Sequence, residues 1–131
     1  MILLDTHVWL WWINAPGRLS SRAAGAIANA VGSSGVRIST MSAWEVAMLA
    51  TANRLVLDRD VRDWVAASEQ LPFITFVPID TTIAISSVLL PEPLHKDPAD
   101  RLIAATAIAL GLPLVTADQK LLDYPHLQPI W

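Results

Sequence analysis

Four acidic residues occupy positions at which an alternating pattern of strands and helices would expose catalytic side chains. Asp5 and Asp118 each come just after a predicted strand, whereas Glu45 and Asp100 each lie in the first turn of a predicted helix. The carboxyl ends of strands and the amino ends of helices share one edge of a doubly wound sheet, and such folds place their functional sites there. We therefore expect the four carboxylates to lie together at that edge.

A cluster of carboxylates becomes chemically useful when a cation neutralises it. Without a cation the carboxylates repel one another, and each raises the pKa of its neighbours. Mg²⁺ prefers oxygen ligands and is usually held by one or two carboxylates together with water and substrate phosphate. Such a site can activate water for in-line attack on a phosphodiester and stabilise the leaving oxygen. The acids therefore predict a metal site that acts on nucleic acid, with one or two metal ions.

Each acid also has a structural explanation that needs no metal. Ser42–Glu45 has the form of a capping box, in which Glu45 would close the start of a helix. Asp97 is the natural N-cap before Pro98, and it could pair with Arg101 one turn later. Asp5 could cap the helix that follows it, and Asp100 and Asp118 could favour the positive amino end of a helix. We favour the metal site, because separate structural explanations would require all four acids to lie at the same edge of the sheet by coincidence.

The remaining polar residues carry weaker signals. His7, His95 and His126 lack the spacing of metal ligands. His7 and His95 could approach the edge of the site, but we favour their interpretation as loop or packing residues. The absence of cysteine excludes disulfides, cysteine-bound zinc and thiol catalysis. No nucleophile elbow or glycine-rich phosphate loop occurs among the five glycines. Several basic residues could either contact an RNA backbone or simply be solvated: Arg18, Arg22, Lys96, Arg101 and Lys120.

The elements that would position the acids alternate between short apolar runs and longer helical stretches. The predicted strands are Ile2–Leu4, Val36–Ser39, Ile74–Ile79 near an edge, Leu114–Thr116 and a short strand within Leu127–Ile130. The predicted helices are Val8–Ile13, Ser20–Val31, Ala43–Ala52, Val61–Ala67, Thr81–Leu90 and Pro98–Leu110. This alternation predicts an α/β fold in which helices cover both faces of a central parallel sheet.

Length and composition fit one domain built on such a sheet. The chain has 131 residues, of which 53% are hydrophobic and only 16% are charged, as expected when strands are buried on both faces. We therefore treat residues 1–131 as a single domain. The net charge of −3 argues mildly against generic nucleic-acid binding, but bound cations would reverse the local charge of an acidic site.

The sequence predicts no membrane helix. The longest apolar run, Leu102–Ala117, contains Gly111 and Pro113 and is shorter than the roughly 20 residues that a spanning helix needs. The first residues lack a basic segment, and Asp5 falls where a signal peptide would be apolar. We expect no membrane association and a cytoplasmic location, with which the lack of cysteine is compatible.

Tryptophan is abundant, with six residues, and half of them fall on one short helix. Trp9, Trp11 and Trp12 cannot all point inward from a single helix. Packing against a neighbouring helix and contact with a partner protein are equally good explanations, because tryptophan is enriched in interface hot spots.

Four segments together resemble the motifs of PIN-domain ribonucleases, in order and with similar spacing over nearly the whole chain. They are Ile2–His7, Ser42–Glu45, Asp97–Ala105 and Leu114–Asp118. The third has the form common among VapC-like toxins of toxin–antitoxin pairs. The resemblance implies a three-layer α/β/α fold with a central parallel sheet, and Mg²⁺- or Mn²⁺-dependent endoribonuclease cleavage of RNA.

The resemblance also implies roles for individual residues and partners. Asp5, Glu45, Asp100 and Asp118 would be the catalytic, metal-binding set, with Asp5 and Asp100 as the principal ligands. Thr116 would be an accessory polar group, and Asp97 belongs to the local subfamily pattern. VapC-like toxins are usually homodimers and are neutralised by a small antitoxin that reaches into the acidic site, so both partners are expected here.

Two alternatives to a toxin remain open. The chain could be a PIN nuclease of RNA processing, which a neighbouring antitoxin reading frame would argue against. It could also be a catalytically silent module that binds RNA or protein, in which case loss of Asp5 or Asp100 would leave function unchanged. A dehalogenase-like phosphatase is disfavoured because position 7 is His where that class needs a second Asp.

Overall fold

The computed structural model describes all residues from 1 to 131 as alternating strands and helices. The strands are β1 (Ile2–Leu4), β2 (Val36–Ser39), β3 (Ile74–Val77), β4 (Leu114–Val115) and β5 (Pro129–Ile130). The helices are α1 (Thr6–Asn14), α2 (Ser21–Val31), α3 (Thr40–Thr51), α4 (Val61–Glu69), α5 (Thr81–Val88), α6 (Pro98–Leu110) and α7 (Gln119–Leu122). None of the helices combines the length and apolar character needed to cross a membrane.

The five strands form one parallel sheet in the order β3-β2-β1-β4-β5. The chain builds β1, β2 and β3 outward in one direction, and then returns past β1 to add β4 and β5 on the other side. The direction of winding therefore reverses between β1 and β4. In open parallel sheets, a crevice forms at this reversal, outside the carboxyl ends of the strands.

Strand β1 shows why a continuous apolar run is needed in the centre of this sheet. Leu3 packs into a cluster with Ile103 of α6 and Leu121 of α7, whereas Ile2 and Leu4 pack into the larger cluster on the opposite face. Successive side chains of a strand point to opposite faces, so all three residues are buried. Helices cover both faces of the sheet, and the predicted three-layer α/β/α fold is confirmed.

Helix α6 has the boundaries that its flanking residues predict. Asp97 caps its amino end by accepting a hydrogen bond from the Asp100 amide at 3.0 Å, and Pro98 is its first residue. Gly111 ends the helix with a left-handed backbone, at φ 64°, which glycine adopts without a steric cost. The predicted pairing of Asp97 with Arg101 does not form, because Arg101 binds backbone carbonyls instead.

The three clustered tryptophans of α1 have different surroundings. Trp9 is fully buried, packs against Trp64 and Phe76, and donates from its ring nitrogen to the Ser68 hydroxyl at 3.1 Å. Its place is therefore in the core.

The other two tryptophans of this helix are half-buried. Trp12 packs near Phe73, and Trp11 lies beneath the Arg18 guanidinium, 4.8 Å from the ring centre. Packing thus explains Trp9 and Trp12, whereas the ring of Trp11 lies 5.7 Å from that of Trp131 and also lines an acidic cavity.

Candidate active site

Asp5 lies directly beyond the end of β1, at the point where the winding of the sheet reverses. Its two carboxylate oxygens are both engaged: Oδ1 accepts from the Thr6 amide at 2.8 Å, and Oδ2 accepts from the Thr116 hydroxyl at 2.7 Å. Thr116 immediately follows β4, the neighbour of β1. Asp5 is only 7% exposed. The adjacent strand ends therefore hold this carboxylate in one orientation.

Glu45 lies close to Asp5 because its side chain contacts Thr6, the first residue of α1. The Thr6 hydroxyl donates to Glu45 Oε1 at 2.6 Å, and the Ser42 hydroxyl lies 2.9 Å from the Thr6 hydroxyl. The capping-box interpretation of Ser42–Glu45 is wrong, because α3 begins earlier: Ser39 is its N-cap and accepts from the Met41 amide. Glu45 therefore lies in the second turn, and its side chain reaches toward α1 rather than back to its own helix start.

Asp100 lies in the first turn of α6, as predicted, and it has a partner that the sequence did not reveal. The His95 Nε2 atom lies 2.7 Å from Asp100 Oδ2, with both side chains about one-fifth exposed. His95 lies in a loop, as predicted, and that loop places its ring against Asp100 at the edge of the site. The only sequence signal was proximity to the acidic motif.

Asp118 combines a structural role with a place in the site. Its Oδ1 accepts from the Lys120 amide at 2.9 Å and caps α7, while its own amide donates to the Thr116 hydroxyl at 3.1 Å. Asp118 therefore lies at the amino end of a helix, as its structural explanation predicts, and it also caps that helix. The cap does not compete with a role in the site, because the second carboxylate oxygen takes no part in it.

The four predicted acids line one open cavity of about 340 Å³. Its other wall residues are Asp97, His7, Trp11 and Ala117. His7, which we interpreted as a loop or packing residue, is exposed and belongs to this wall. A larger cavity of about 460 Å³ beside Arg101 contains none of the four acids. The structure therefore brings all four together at the edge where the sequence places them.

Burial and mutual repulsion disfavour the charged forms of three of these acids. Burial is the main cause that raises the pKa of Asp5, Glu45 and Asp100 above their ordinary values. Neighbouring carboxylates raise each pKa further, whereas hydrogen bonds from Thr116, Thr6 and His95 oppose the shift. A bound cation would offset the repulsion between these carboxylates and favour their ionised forms.

The donor set fits a hard divalent cation. Ligand atoms of His95, Asp100 and Asp118 lie within 4.8 Å of one another, and carboxylates dominate the surrounding wall. Mg²⁺ and Mn²⁺ are the cations that oxygen-rich sites of this kind suit. Asp100 and Asp118, together with Asp5 and Glu45 in the wall of the same cavity, are the carboxylates that could hold such an ion.

A three-layer fold with an acidic crevice at the reversal of a parallel sheet is the architecture of a PIN domain. The PIN-domain family model matches residues 2–127, and the chain belongs to that family. The chain is also 38% identical over 129 residues to Ribonuclease VapC22 of Mycobacterium tuberculosis, an alignment that covers 98% of this chain and 95% of that protein.

Solved structures of toxin–antitoxin complexes share the fold. The VapBC2 structure from Rickettsia felis, bound to a DNA fragment from its promoter, matches with a TM-score of 0.72 at 18% identity, covering 98% of this chain and 97% of that one. A toxin–antitoxin complex from Klebsiella pneumoniae matches with a TM-score of 0.64 at 21% identity, covering 97% and 95%. At these identities the likeness establishes the fold alone.

Proposed function

We propose that this chain is a Mg²⁺- or Mn²⁺-dependent endoribonuclease and the toxin of a toxin–antitoxin pair. The observation that carries the proposal is the convergence of Asp5, Glu45, Asp100 and Asp118 on one cavity at the reversal point of the sheet. Membership of the PIN-domain family and the similarity to a protein named as a ribonuclease support RNA as the substrate.

Each acid has a role that follows from its position. Asp5 and Asp100 are the principal cation ligands in this proposal, and Glu45 and Asp118 complete the acidic wall. A bound divalent cation would supply a more acidic water and stabilise charge on phosphate oxygens. The hydroxyls of Thr116 and Thr6 keep the carboxylates of Asp5 and Glu45 in place, so little reorganisation is needed when a cation and a phosphate enter.

The toxin role brings two expected partners with it. A small antitoxin protein would neutralise the nuclease, and two copies of this chain would form a homodimer. The structural likeness to toxin–antitoxin complexes supports the antitoxin. The homodimer is part of the proposal through the resemblance to VapC-like toxins alone. The proposal includes a cytoplasmic location, where such a toxin meets its RNA. Sedimentation of the purified chain, alone and mixed with the product of a short neighbouring reading frame, tests both partners.

The first test of the nuclease is cleavage of a structured RNA pool in Mg²⁺, in Mn²⁺ and in chelator. We expect the wild type to cut only with a cation. Asp5→Asn and Asp100→Asn should each lower cutting by about a hundredfold or more, because each removes a proposed ligand charge. Both substitutions preserve side-chain size, so loss of activity would not reflect loss of packing.

Asp63→Asn is the matched control for charge. Asp63 lies exposed on α4, outside the cavity, and its loss should leave cutting unchanged. Cutting that survives in chelator, or in the Asp5 and Asp100 variants, would rule out the proposed metal site. A wild type that cuts no RNA but still binds RNA or a protein partner would favour a silent binding module.

A further inference from the structure

The guanidinium group of Arg101 binds only backbone carbonyl oxygens. Its Nε donates to Ser87 O at 2.8 Å and its Nη2 donates to Val88 O at 3.3 Å, both at the end of α5. Its Nη1 donates to the carbonyls of Leu94 at 3.1 Å and of His95 at 3.2 Å. No carboxylate forms a salt bridge with it. Arg101 therefore ties the end of α5 to the residues just before α6.

The segment between α5 and α6 depends on such contacts for its shape. Residues 89–97 form no helix or strand, so no regular backbone hydrogen bonding sets their conformation. The Tyr124 hydroxyl donates to Pro91 O at 2.7 Å, and Arg101 holds the part of the segment nearer to α6. A planar guanidinium offers five N–H groups in fixed directions and can serve several carbonyls at once, which the single ammonium of lysine does less well.

The imidazole of His95 is anchored on one side only. Its Nε2 lies 2.7 Å from Asp100 Oδ2, while its Nδ1 is buried without a hydrogen-bond partner. An ionised carboxylate can only accept, so Nε2 carries the hydrogen of this bond. Because no second hydrogen bond fixes the ring, its position follows from packing and from its backbone, and Arg101 holds that backbone.

We infer that Arg101 and His95 are positioning residues that orient the carboxylate of Asp100 for a cation. Arg101 fixes the backbone of His95, and the His95 ring in turn fixes Oδ2 of Asp100, leaving Oδ1 without a side-chain partner in the protein. The inference rests on the proposed function, because it takes Asp100 to be a cation ligand. Neither residue has to touch RNA or the cation to act in this way.

The test is Mn²⁺ affinity, measured from the electron paramagnetic resonance signal of free Mn²⁺ titrated into each purified protein without RNA. His95→Phe keeps a ring but removes the donor, whereas His95→Gln keeps a donor on a flexible chain. We expect His95→Phe to weaken Mn²⁺ binding about tenfold or more, the usual effect of losing a group that orients a ligand. His95→Gln should restore affinity to within about threefold of the wild type.

Two arginine variants complete the test. Arg101→Lys keeps the positive charge but loses the planar guanidinium that donates to several carbonyls at once. Like His95→Phe, it should weaken Mn²⁺ binding. Arg62→Lys is the matched control, because Arg62 is exposed on α4 and does not belong to the cavity wall. Melting curves without metal show whether each variant is folded. In RNA cleavage, the positioning variants should lower kcat while leaving KM close to that of the wild type.

The outcomes separate this inference from the proposed function. Wild-type Mn²⁺ affinity in His95→Phe would overturn the inference, even if the wild type cuts RNA as proposed. If the Arg101→Lys protein melts at a lower temperature but binds Mn²⁺ as tightly as the wild type, Arg101 has only a structural role. That result would overturn the inference that Arg101 is a positioning residue. A wild type that neither binds Mn²⁺ nor cuts RNA would overturn both proposals together.

Discussion

Thr116 connects two of the acids through a single hydroxyl group. The hydroxyl donates to Asp5 Oδ2 at 2.7 Å and accepts from the Asp118 amide at 3.1 Å, and the side chain is fully buried. One short side chain at the end of β4 thus fixes both the carboxylate beyond β1 and the backbone that leads into α7. Its role is larger than the accessory one that the resemblance implies.

Thr116→Val should separate this role from simple packing. Valine has nearly the same shape but leaves Asp5 Oδ2 and the Asp118 amide without their partner, which costs about 1–3 kcal/mol for a buried group. We expect a lower melting temperature and cation-dependent RNA cutting reduced about tenfold or more. Calorimetry and the cleavage assay measure the two effects.

Thr116→Ser is the control for that substitution. Serine retains the hydroxyl, so it should restore most of the cutting while losing only the packing of one methyl group. Full activity in the valine variant would show that the position of Asp5 does not depend on this bond.

Glu45 illustrates what the sequence can and cannot show about a single residue. The sequence identified it as a candidate, because its place shortly after a strand is typical of sites in such folds. The contact that draws it into the site comes from Thr6, which lies 39 positions away in the chain. A partner at that distance leaves no local signal, so only the folded chain distinguishes a site residue from a helix cap.

The two ends of α6 were predictable because their signals are local. Asp97 with Pro98, and Gly111 before Pro113, specify the start and end of the helix through short-range backbone chemistry. The start of α3 was less predictable, since β2 runs directly into the helix and two serines compete as its cap. Burial of Ser42 beside Thr6 decides in favour of Ser39, and that burial depends on the tertiary structure.

The cap of α6 allows the charge of Asp97 to be separated from its structural role. Asp97→Ala removes the acceptor for the Asp100 amide and should cost about 0.5–2 kcal/mol of folding stability. Asp97→Asn keeps an acceptor and removes the charge, so its stability should stay close to that of the wild type. Urea denaturation of both variants measures the difference.

The cleavage assay of the same pair addresses function. If Asp97 is chiefly a cap, Asp97→Asn should retain most of its cutting, although Asp97 lines the cavity. A loss comparable to that of Asp100→Asn, with stability unchanged, would make Asp97 a further member of the acidic set.

The fold of the whole molecule was predictable as a class but not in its strand order. Apolar runs that alternate with helices are enough to predict a parallel sheet covered on both faces. Nothing in Leu114–Val115 by itself indicates that it pairs with β1 rather than with β3, which precedes it in the chain. The pairing of β4 with β1 determines where the winding direction of the sheet reverses, and this pairing depends on the packing of the complete chain.

The electrostatics of the whole site predict opposite pH dependences for the metal-free and metal-bound protein. Burial raises the pKa of Asp5, Glu45 and Asp100, so the folded state binds more protons than the unfolded state as the pH falls toward those values. The contribution of these groups to stability is therefore present at low pH and is lost as the pH rises through the raised pKa values. Without metal, they should make the protein more stable at a mildly acidic pH than at an alkaline pH.

Cations should reverse this trend, because they bind the ionised carboxylates of the folded state. At a hundred times its Kd, Mg²⁺ or Mn²⁺ should stabilise the protein by about 2.7 kcal/mol at the alkaline pH, and the gain should shrink on acidification. Melting curves at the two pH values, with potassium chloride at matched ionic strength, measure this. Asp100→Asn should lose most of the gain, and a wild type insensitive to both cations would argue against a preformed site.

The pairing of β1 with β4 has a consequence for the synthesis of this protein. Asp5 and Thr116 are separated by 111 positions, so the hydroxyl that holds Asp5 does not exist until the ribosome has added residue 116. Chains released earlier lack that hydroxyl and Asp118, and their β1 has only one neighbouring strand. The acidic cavity is therefore completed only late in translation, once β4 has been added beside β1.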